Sequence, residues 1–212
     1  PDVAREWERR TDSKLIEGYG LSETTANLTL NSPATRRIGS AGQAVGYQEI
    51  KLMDSSGVQV ADGEEGELWV RGPNVMMGYW QRSEATDEAI DAEGFFKTGD
   101  VVVRLDNGFY KIVDRIKDMV LVSGFNVYPN EIEHVITSHP DVLECAVVGV
   151  VDNRTGEAVK AFVVRRNNDL TETTLREFCR TDLTAYKVPK HIEFRDELPK
   201  SNVGKILRRE LR

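Results

Sequence analysis

Near the end of the sequence, Pro199-Lys200-Ser201-Asn202-Val203-Gly204-Lys205-Ile206-Leu207-Arg208-Arg209 sets a single glycine beside a lysine. Glycine lets the backbone turn tightly and approach a ligand, and the adjoining ammonium is a movable point charge for phosphate or carboxylate oxygens. Lys205 is therefore the first candidate for catalysis, although a Gly-Lys pair also makes an ordinary solvated turn. Three upstream segments carry further reactive groups: Gly18-Tyr19-Gly20-Leu21-Ser22-Glu23, Phe96-Lys97-Thr98-Gly99-Asp100, and Asp114 to Glu133. Each has a bland alternative. Tyr19 could pack as an aromatic, Glu23 could be a surface acid, Asp100 a turn residue before a strand, and Arg115 half of a weak salt bridge.

Familiar phosphate-binding motifs are absent. Gly204-Lys205 is followed by Ile206 and lacks a glycine five positions earlier, so it is no Walker-type loop. Gly39, Gly42 and Gly46 have the wrong spacing for a dinucleotide fingerprint.

With 212 residues, 30% charged and 40% hydrophobic, the composition is that of a globular chain with one large or two small domains. A formal net charge of −7 argues against a nucleic-acid partner, since the one basic cluster is Lys200, Lys205, Arg208, Arg209 and Arg212, which could be a solvated helix. The longest aliphatic stretch, Ala146 to Val151, is far shorter than the roughly 20 apolar residues of a spanning helix. Cys145 and Cys179 belong to no metal-ligand spacing and read as reduced and buried, which suits the cytoplasm. The three histidines, His134, His139 and His191, form no ligand cluster. The sequence opens at Pro1 without an initiating methionine or signal peptide, and reads as a piece of something larger.

The elements that must position these groups follow from periodicity. Alternation over Tyr47 to Met53 and Glu67 to Arg71 predicts strands, and Ser83 is placed to cap a short helix over Glu84 to Ile90. Val101 to Leu105 and Phe109 to Val113 flank Asp106-Asn107-Gly108, a hairpin signal. After Val113 the pattern changes. Met119 to Val122 predicts a strand, and Pro129 to Ser138 a helix with Ile132, Val135 and Ile136 on one face. Strands at Leu143 to Val151 and Ala158 to Val164, a Thr171-capped helix to Leu183 and a strand at His191 to Arg195 follow. The expected fold class is α+β: a β-rich end of a large domain, residues 1–114, then a small β-α-β-β-α-β domain, residues 115–212, joined through the charged and presumed exposed linker Asp114 to Asp118.

The order of these segments resembles the adenylate-forming superfamily of acyl-CoA synthetases, peptide-synthetase adenylation domains and beetle luciferases. Gly66-Glu67-Leu68 with Gly72, Gly78 and Tyr79 matches another family segment, so the resemblance runs from about Gly18 to Arg212. Asp114-Arg115-Ile116-Lys117-Asp118-Met119 through Ser123-Gly124-Phe125-Asn126-Val127-Tyr128-Pro129-Asn130-Glu131-Ile132-Glu133, with Leu198 to Leu211, is most similar to bacterial long-chain fatty-acid CoA ligases. Leu121 stands where luciferase-like members carry a lysine.

The resemblance implies activation of a fatty acid by ATP to an acyl-adenylate, then transfer to CoA. It implies Tyr19 against adenine, Ser22 and Glu23 toward phosphates and Mg2+, with Glu23 as the metal ligand, and Asp100 with Arg115 on the ribose diol. Lys205 would meet the fatty-acid carboxylate and α-phosphate. Lys117 would be the hinge of a small domain that rotates between half-reactions, and Gly124 would face the pantetheine thiol. The family's upstream phosphate loop and most of its acyl pocket are missing from the sequence, so this piece is not expected to be active alone, and chain-length preference is not legible. A lipid substrate allows peripheral contact with the inner membrane, although no amphipathic anchor is visible; the oligomeric state is not legible either. Two other readings are a peptide-synthetase-type adenylation domain and a non-catalytic binding module. The first would continue into a carrier domain, whereas the sequence stops three residues after Arg209, which favours the free-standing ligase.

Overall fold

The computed structural model describes residues 2–212; Pro1, where the sequence suggests an excised piece, lies outside them. The chain packs as two compact units that meet in sequence between Ile116 and Lys117.

The first unit contains α1 (Asp2–Thr11), β1 (Gly18–Tyr19), β2 (Thr29–Leu30), β3 (Gly42–Ala44), β4 (Glu49–Met53), β5 (Glu65–Arg71), α2 (Ser83–Ala89), β6 (Phe96–Arg104) and β7 (Phe109–Arg115). Its strands form one antiparallel sheet in the order β1-β2-β3-β7-β6-β5-β4. In β5 the alternate residues Gly66, Leu68 and Val70 are buried, the period-two pattern of a strand with one face on a core. Leu28, Leu52, Phe96, Val102 and Tyr110 complete that core. The predicted strand at 101–105 is longer, starting at Phe96, and the strand at 109–113 continues through Arg115. Consequently the expected exposed linker over Asp114 to Asp118 is shorter: Asp114 is a buried strand residue, Arg115 ends the strand, and 116–118 form a short 3-10 turn. The α2 cap is Arg82 rather than Ser83, because the Thr86 N–H and hydroxyl both donate to the Arg82 carbonyl and start the helix one residue early.

In the second unit are β8 (Val120–Val122), β9 (Phe125–Val127), α3 (Pro129–Thr137), β10 (Val142–Asp152), β11 (Gly156–Arg165), α4 (Glu172–Asp182) and β12 (His191–Arg195). The expected small-domain order gains one strand, β9, because Ser123 and Gly124 have φ of 52° and 86°, the two positive values of a tight hairpin turn joining β8 to β9. Strand β11 is central, antiparallel to β10 and parallel to β12, with the β8–β9 hairpin joined at Gly156. The predicted caps hold here: Pro129 opens α3, and the Thr171 hydroxyl accepts the Thr174 N–H at 3.2 Å at the start of α4.

Both faces of this sheet are covered. Ile132 and Ile136 of α3 and Leu175 and Cys179 of α4 pack on one face, with Cys145. Both cysteines are free and buried; burial pushes the Cys179 thiol up to about 11 and the Cys145 thiol well above its ordinary value. On the other face, Ala146, Val148, Phe162 and Val164 meet Leu198, Leu211 and the partly buried Ile206. The C-terminal segment is thus part of the core rather than a loose tail. Each buried leucine contributes about 1.5–3 kcal/mol, more than a solvated ion pair. Among the described residues, no helix is long and apolar enough to cross a membrane.

Leu211→Ala is expected to cost about 2–5 kcal/mol in urea unfolding, as a fully enclosed leucine does. A cost below about 0.5 kcal/mol, the range of neutral surface changes, would show that the segment does not belong to the folded core.

Candidate active site

In the first unit the structure joins three of the residues singled out from the sequence. Asp100 is 2% exposed and lies within β6, not in a turn ahead of it. Its orientation comes from a bulge: Lys97 pairs with Trp69 and Val101 with Glu67, so Thr98, Gly99 and Asp100 together face only Leu68. The Thr98 hydroxyl donates to the Leu68 carbonyl at 2.8 Å and accepts the Asp100 N–H at 3.1 Å. Gly99, at φ +71°, donates its N–H to the Glu67 carboxylate at 3.0 Å. This geometry turns the Asp100 carboxylate toward Tyr19, whose hydroxyl donates to Oδ2 at 2.5 Å, and toward Arg115, whose Nε lies 3.1 Å from Oδ1.

A carboxylate this enclosed needs partners for both oxygens, and the two donors supply them. The Arg115 side chain remains 42% exposed. Burial first, and then the neighbouring Asp100 carboxylate, raise the Tyr19 phenol well above its ordinary pKa, so it stays a protonated donor.

The loop after Tyr19 is fixed by sterics. A Cβ on Gly20 would sit 1.3 Å from the Ala26 carbonyl oxygen, so no other residue fits. The chain turns back through a 3-10 helix at Ser22–Thr24, where the buried Thr24 hydroxyl accepts the Leu21 N–H at 3.0 Å. Ser22 is exposed, and the Glu23 carboxylate accepts the Tyr79 hydroxyl at 3.1 Å. Neither Ser22 nor Glu23 makes a hydrogen bond to Asp100 among the described residues. No group of three or more His, Cys, Asp or Glu that could hold a metal occurs among the described residues. A lone carboxylate such as Glu23 suits Mg2+, which keeps waters and takes its other ligands from substrate phosphates.

Lys205, Lys117 and Gly124 belong to the second unit. Lys205 lies exposed at the tip of a hairpin: its carbonyl accepts the Ser201 N–H at 2.8 Å, the stem bridges Lys200 to Ile206, and Gly204 turns at φ +79°. The basic cluster around it is not a solvated helix. Residues 208–210 are a 3-10 turn, and Lys200 pairs with Glu144 at 2.7 Å, Arg208 with Glu133 at 2.6 Å and Arg212 with Asp118 at 2.9 Å. Arg209 lies 3.9 Å from Glu210 in solvent. Of the five cations, Lys205 has no carboxylate partner among the described residues.

Lys117 is exposed in the 116–118 turn, and its carbonyl accepts from Arg212 at 3.0 Å. A Cβ on Gly124 would meet no atom within 4 Å, so within this unit the hairpin turn accounts for the glycine. Phe125 beside it is exposed and stacks on Tyr186, with ring centres 4.7 Å apart. Sequence reasoning missed Thr98, which shapes the bulge, and the carboxylates Asp118 and Glu133, which occupy the neighbouring arginines.

Two family models match the chain: that of the AMP-binding enzymes over residues 1–80, and that of the AMP-binding enzyme C-terminal domain over residues 131–205. A long-chain-fatty-acid–CoA ligase of Escherichia coli O157:H7 is 56% identical over 99% of this chain, which spans 37% of that relative's length. Among solved structures, ATP-bound MatB from Rhodopseudomonas palustris superposes with a TM-score of 0.93 at 36% identity, over 100% of this chain and 42% of that one. The o-succinylbenzoate CoA synthetase of Bacillus subtilis, in complex with its acyl-adenylate intermediate, gives 0.88 at 32% identity, over 100% and 43%.

Tyr19→Phe removes a hydrogen bond to a buried carboxylate and is expected to cost about 1.5–3 kcal/mol of stability near neutral pH. Because the folded-state phenol pKa is raised above the unfolded value of about 10, its contribution is full below pH 10 and declines as pH rises beyond it. The wild-type chain should therefore lose more stability above pH 10 than Tyr19→Phe does in urea unfolding. Parallel profiles would refute the Tyr19–Asp100 bond.

Proposed function

As the chain belongs to the adenylate-forming AMP-binding enzyme family, we propose that the protein carrying it converts a fatty acid of the long-chain class to its CoA thioester through an acyl-adenylate. The 56% identity to a long-chain-fatty-acid–CoA ligase supports that substrate class. The observation that carries the mechanism is the Lys205 ammonium, without a carboxylate partner among the described residues, on an anchored hairpin where Lys200, Arg208 and Arg212 are paired with carboxylates.

In the first half-reaction a fatty-acid carboxylate oxygen attacks the α-phosphorus of ATP, and the bond to pyrophosphate breaks. Two anions must approach, and the ammonium of Lys205 offsets their repulsion in both the ground and, more strongly, the transition state. Asp100 accepts the two ribose hydroxyls, one per oxygen; Arg115 turns its guanidinium to the same sugar, and the Tyr19 ring lies against adenine. Ser22 and Glu23 face the phosphates, and Glu23 would be the residue to hold Mg2+ there. When bound, that ion neutralises phosphate charge.

In the second half-reaction the CoA thiol attacks the acyl carbon and AMP leaves. The small unit turns about Lys117 between the two steps and brings the Gly124 turn toward the thiol arm. The chain spans 37% of the length of the ligase it matches, so the activity proposed is that of the whole protein, in the cytoplasm, where ATP and CoA are supplied, with peripheral contact at the inner membrane face for a lipid acid.

In the full-length protein, Lys205→Ala should lower pyrophosphate release about 10²–10³-fold, by analogy with loss of one preorganised donor, and spare thioester formation from supplied acyl-adenylate. Equal loss in both steps would overturn the assignment. Lys117→Pro fixes one backbone dihedral at the turn and should slow thioester formation more than adenylation. An unchanged ratio of the two rates would remove Lys117 as the hinge.

A further inference from the structure

The Lys205 hairpin is held to its unit in two physically different ways. Ile206, Leu198 and Leu211 press it against the β10–β11 face, which fixes its distance from the sheet but is non-directional. Direction comes from Arg208, which follows the hairpin stem at once: the Leu207 N–H still donates to the Pro199 carbonyl at 2.8 Å. The Arg208 guanidinium forks onto Glu133 of α3, with Nε 3.1 Å from Oε1 and Nη2 2.6 Å from Oε2, and Nη2 also donates to Asn130 Oδ1 at 2.7 Å. Its Nη1 lies 3.6 Å from Asp118 Oδ2. Arg212 takes the other Asp118 oxygen at 2.9 Å and the Lys117 carbonyl at 3.0 Å.

Asp118 is thus held by two arginines of the C-terminal segment, one residue beyond the proposed hinge. We propose that Arg208 is a positioning residue for Lys205, and that with Arg212, Asp118, Asn130 and Glu133 it fixes the direction of the hairpin within its own unit. This rests on the role given to Lys205 above. The physical requirement is orientation: an error of about 1 Å in placing a charge costs on the order of a hundredfold in rate, and a planar fork fixes direction where a point charge does not. Arg208 touches no substrate in this scheme.

The test uses the full-length protein with Arg208→Lys, which keeps the charge and loses the fork, beside Lys205→Ala. Arg208→Lys is expected to lower the kcat of pyrophosphate release by about tenfold to a hundredfold, with the KM for ATP and thioester formation from supplied acyl-adenylate unchanged. A merely structural role would lower both half-reactions together, and that result overturns the proposal. The double variant Arg208→Gln with Glu133→Gln leaves no uncompensated carboxylate at the fork, so it guards against misfolding of a single variant; its expected pattern is the same selective loss, and wild-type pyrophosphate release would overturn the proposal. Should Lys205→Ala disable pyrophosphate release while Arg208→Lys does not, Lys205 keeps its role and the positioning claim fails. Should Lys205→Ala itself leave release intact, the underlying reading fails and this one with it.

Discussion

Glu133 stands where a helix, a sheet strand and the C-terminal segment of the second unit meet. One carboxylate oxygen accepts the Val147 N–H of β10 at 2.8 Å, and both take the fork of Arg208. Its side chain is 19% exposed and that of Arg208 22%, so the pair is partly withdrawn from water. Such a pair adds little net stability over an apolar substitute, but removing one partner leaves a desolvated charge behind and is expensive. Its value lies in geometry. The fork fixes the direction of the segment that ends in the Lys205 hairpin, while the leucines beneath it supply the binding energy.

Asp100 in the first unit is positioned by a different device. The residue is 2% exposed, and its carboxylate needs hydrogen-bond partners for both oxygens. The three-residue bulge at Thr98–Asp100 turns it, and Tyr19 and Arg115 keep both oxygens occupied. Of those two donors Arg115 is the more exposed. Each unit thus holds one charged group in its own way: a carboxylate enclosed by donors in the first, and in the second an ammonium with no carboxylate partner among the described residues.

Much of this was legible in the sequence, for reasons that differ by element. The β10, β11 and β12 strands and helices α3 and α4 carry strong periodicity and conventional caps, so their positions were read within a few residues. Helix α1 is hard to read because the apolar face of Asp2–Thr11 is only Val3, Ala4 and Trp7 among mostly polar residues, and β1 to β3 because two or three residues cannot display alternation. Ser123-Gly124 hid β9 by acting as a turn in what looked like one continuous loop. Residue order singles out Tyr19, Asp100, Arg115 and Lys205 as candidates, yet order cannot show that Tyr19 and Asp100, 81 positions apart, share a hydrogen bond. Nor could it show that Arg208 is occupied by Glu133, 75 positions away, which separates Lys205 from its basic neighbours.

On the function proposed for it, the Lys205 ammonium meets an anionic reaction centre, and competitive amine labelling of the full-length protein, read residue by residue by mass spectrometry, measures this directly. With ATP and an unreactive fatty-acid analogue bound, labelling of Lys205 should fall sharply while that of Lys200, already paired with Glu144, stays the same. Unchanged labelling of Lys205 under saturating ligands would contradict the account.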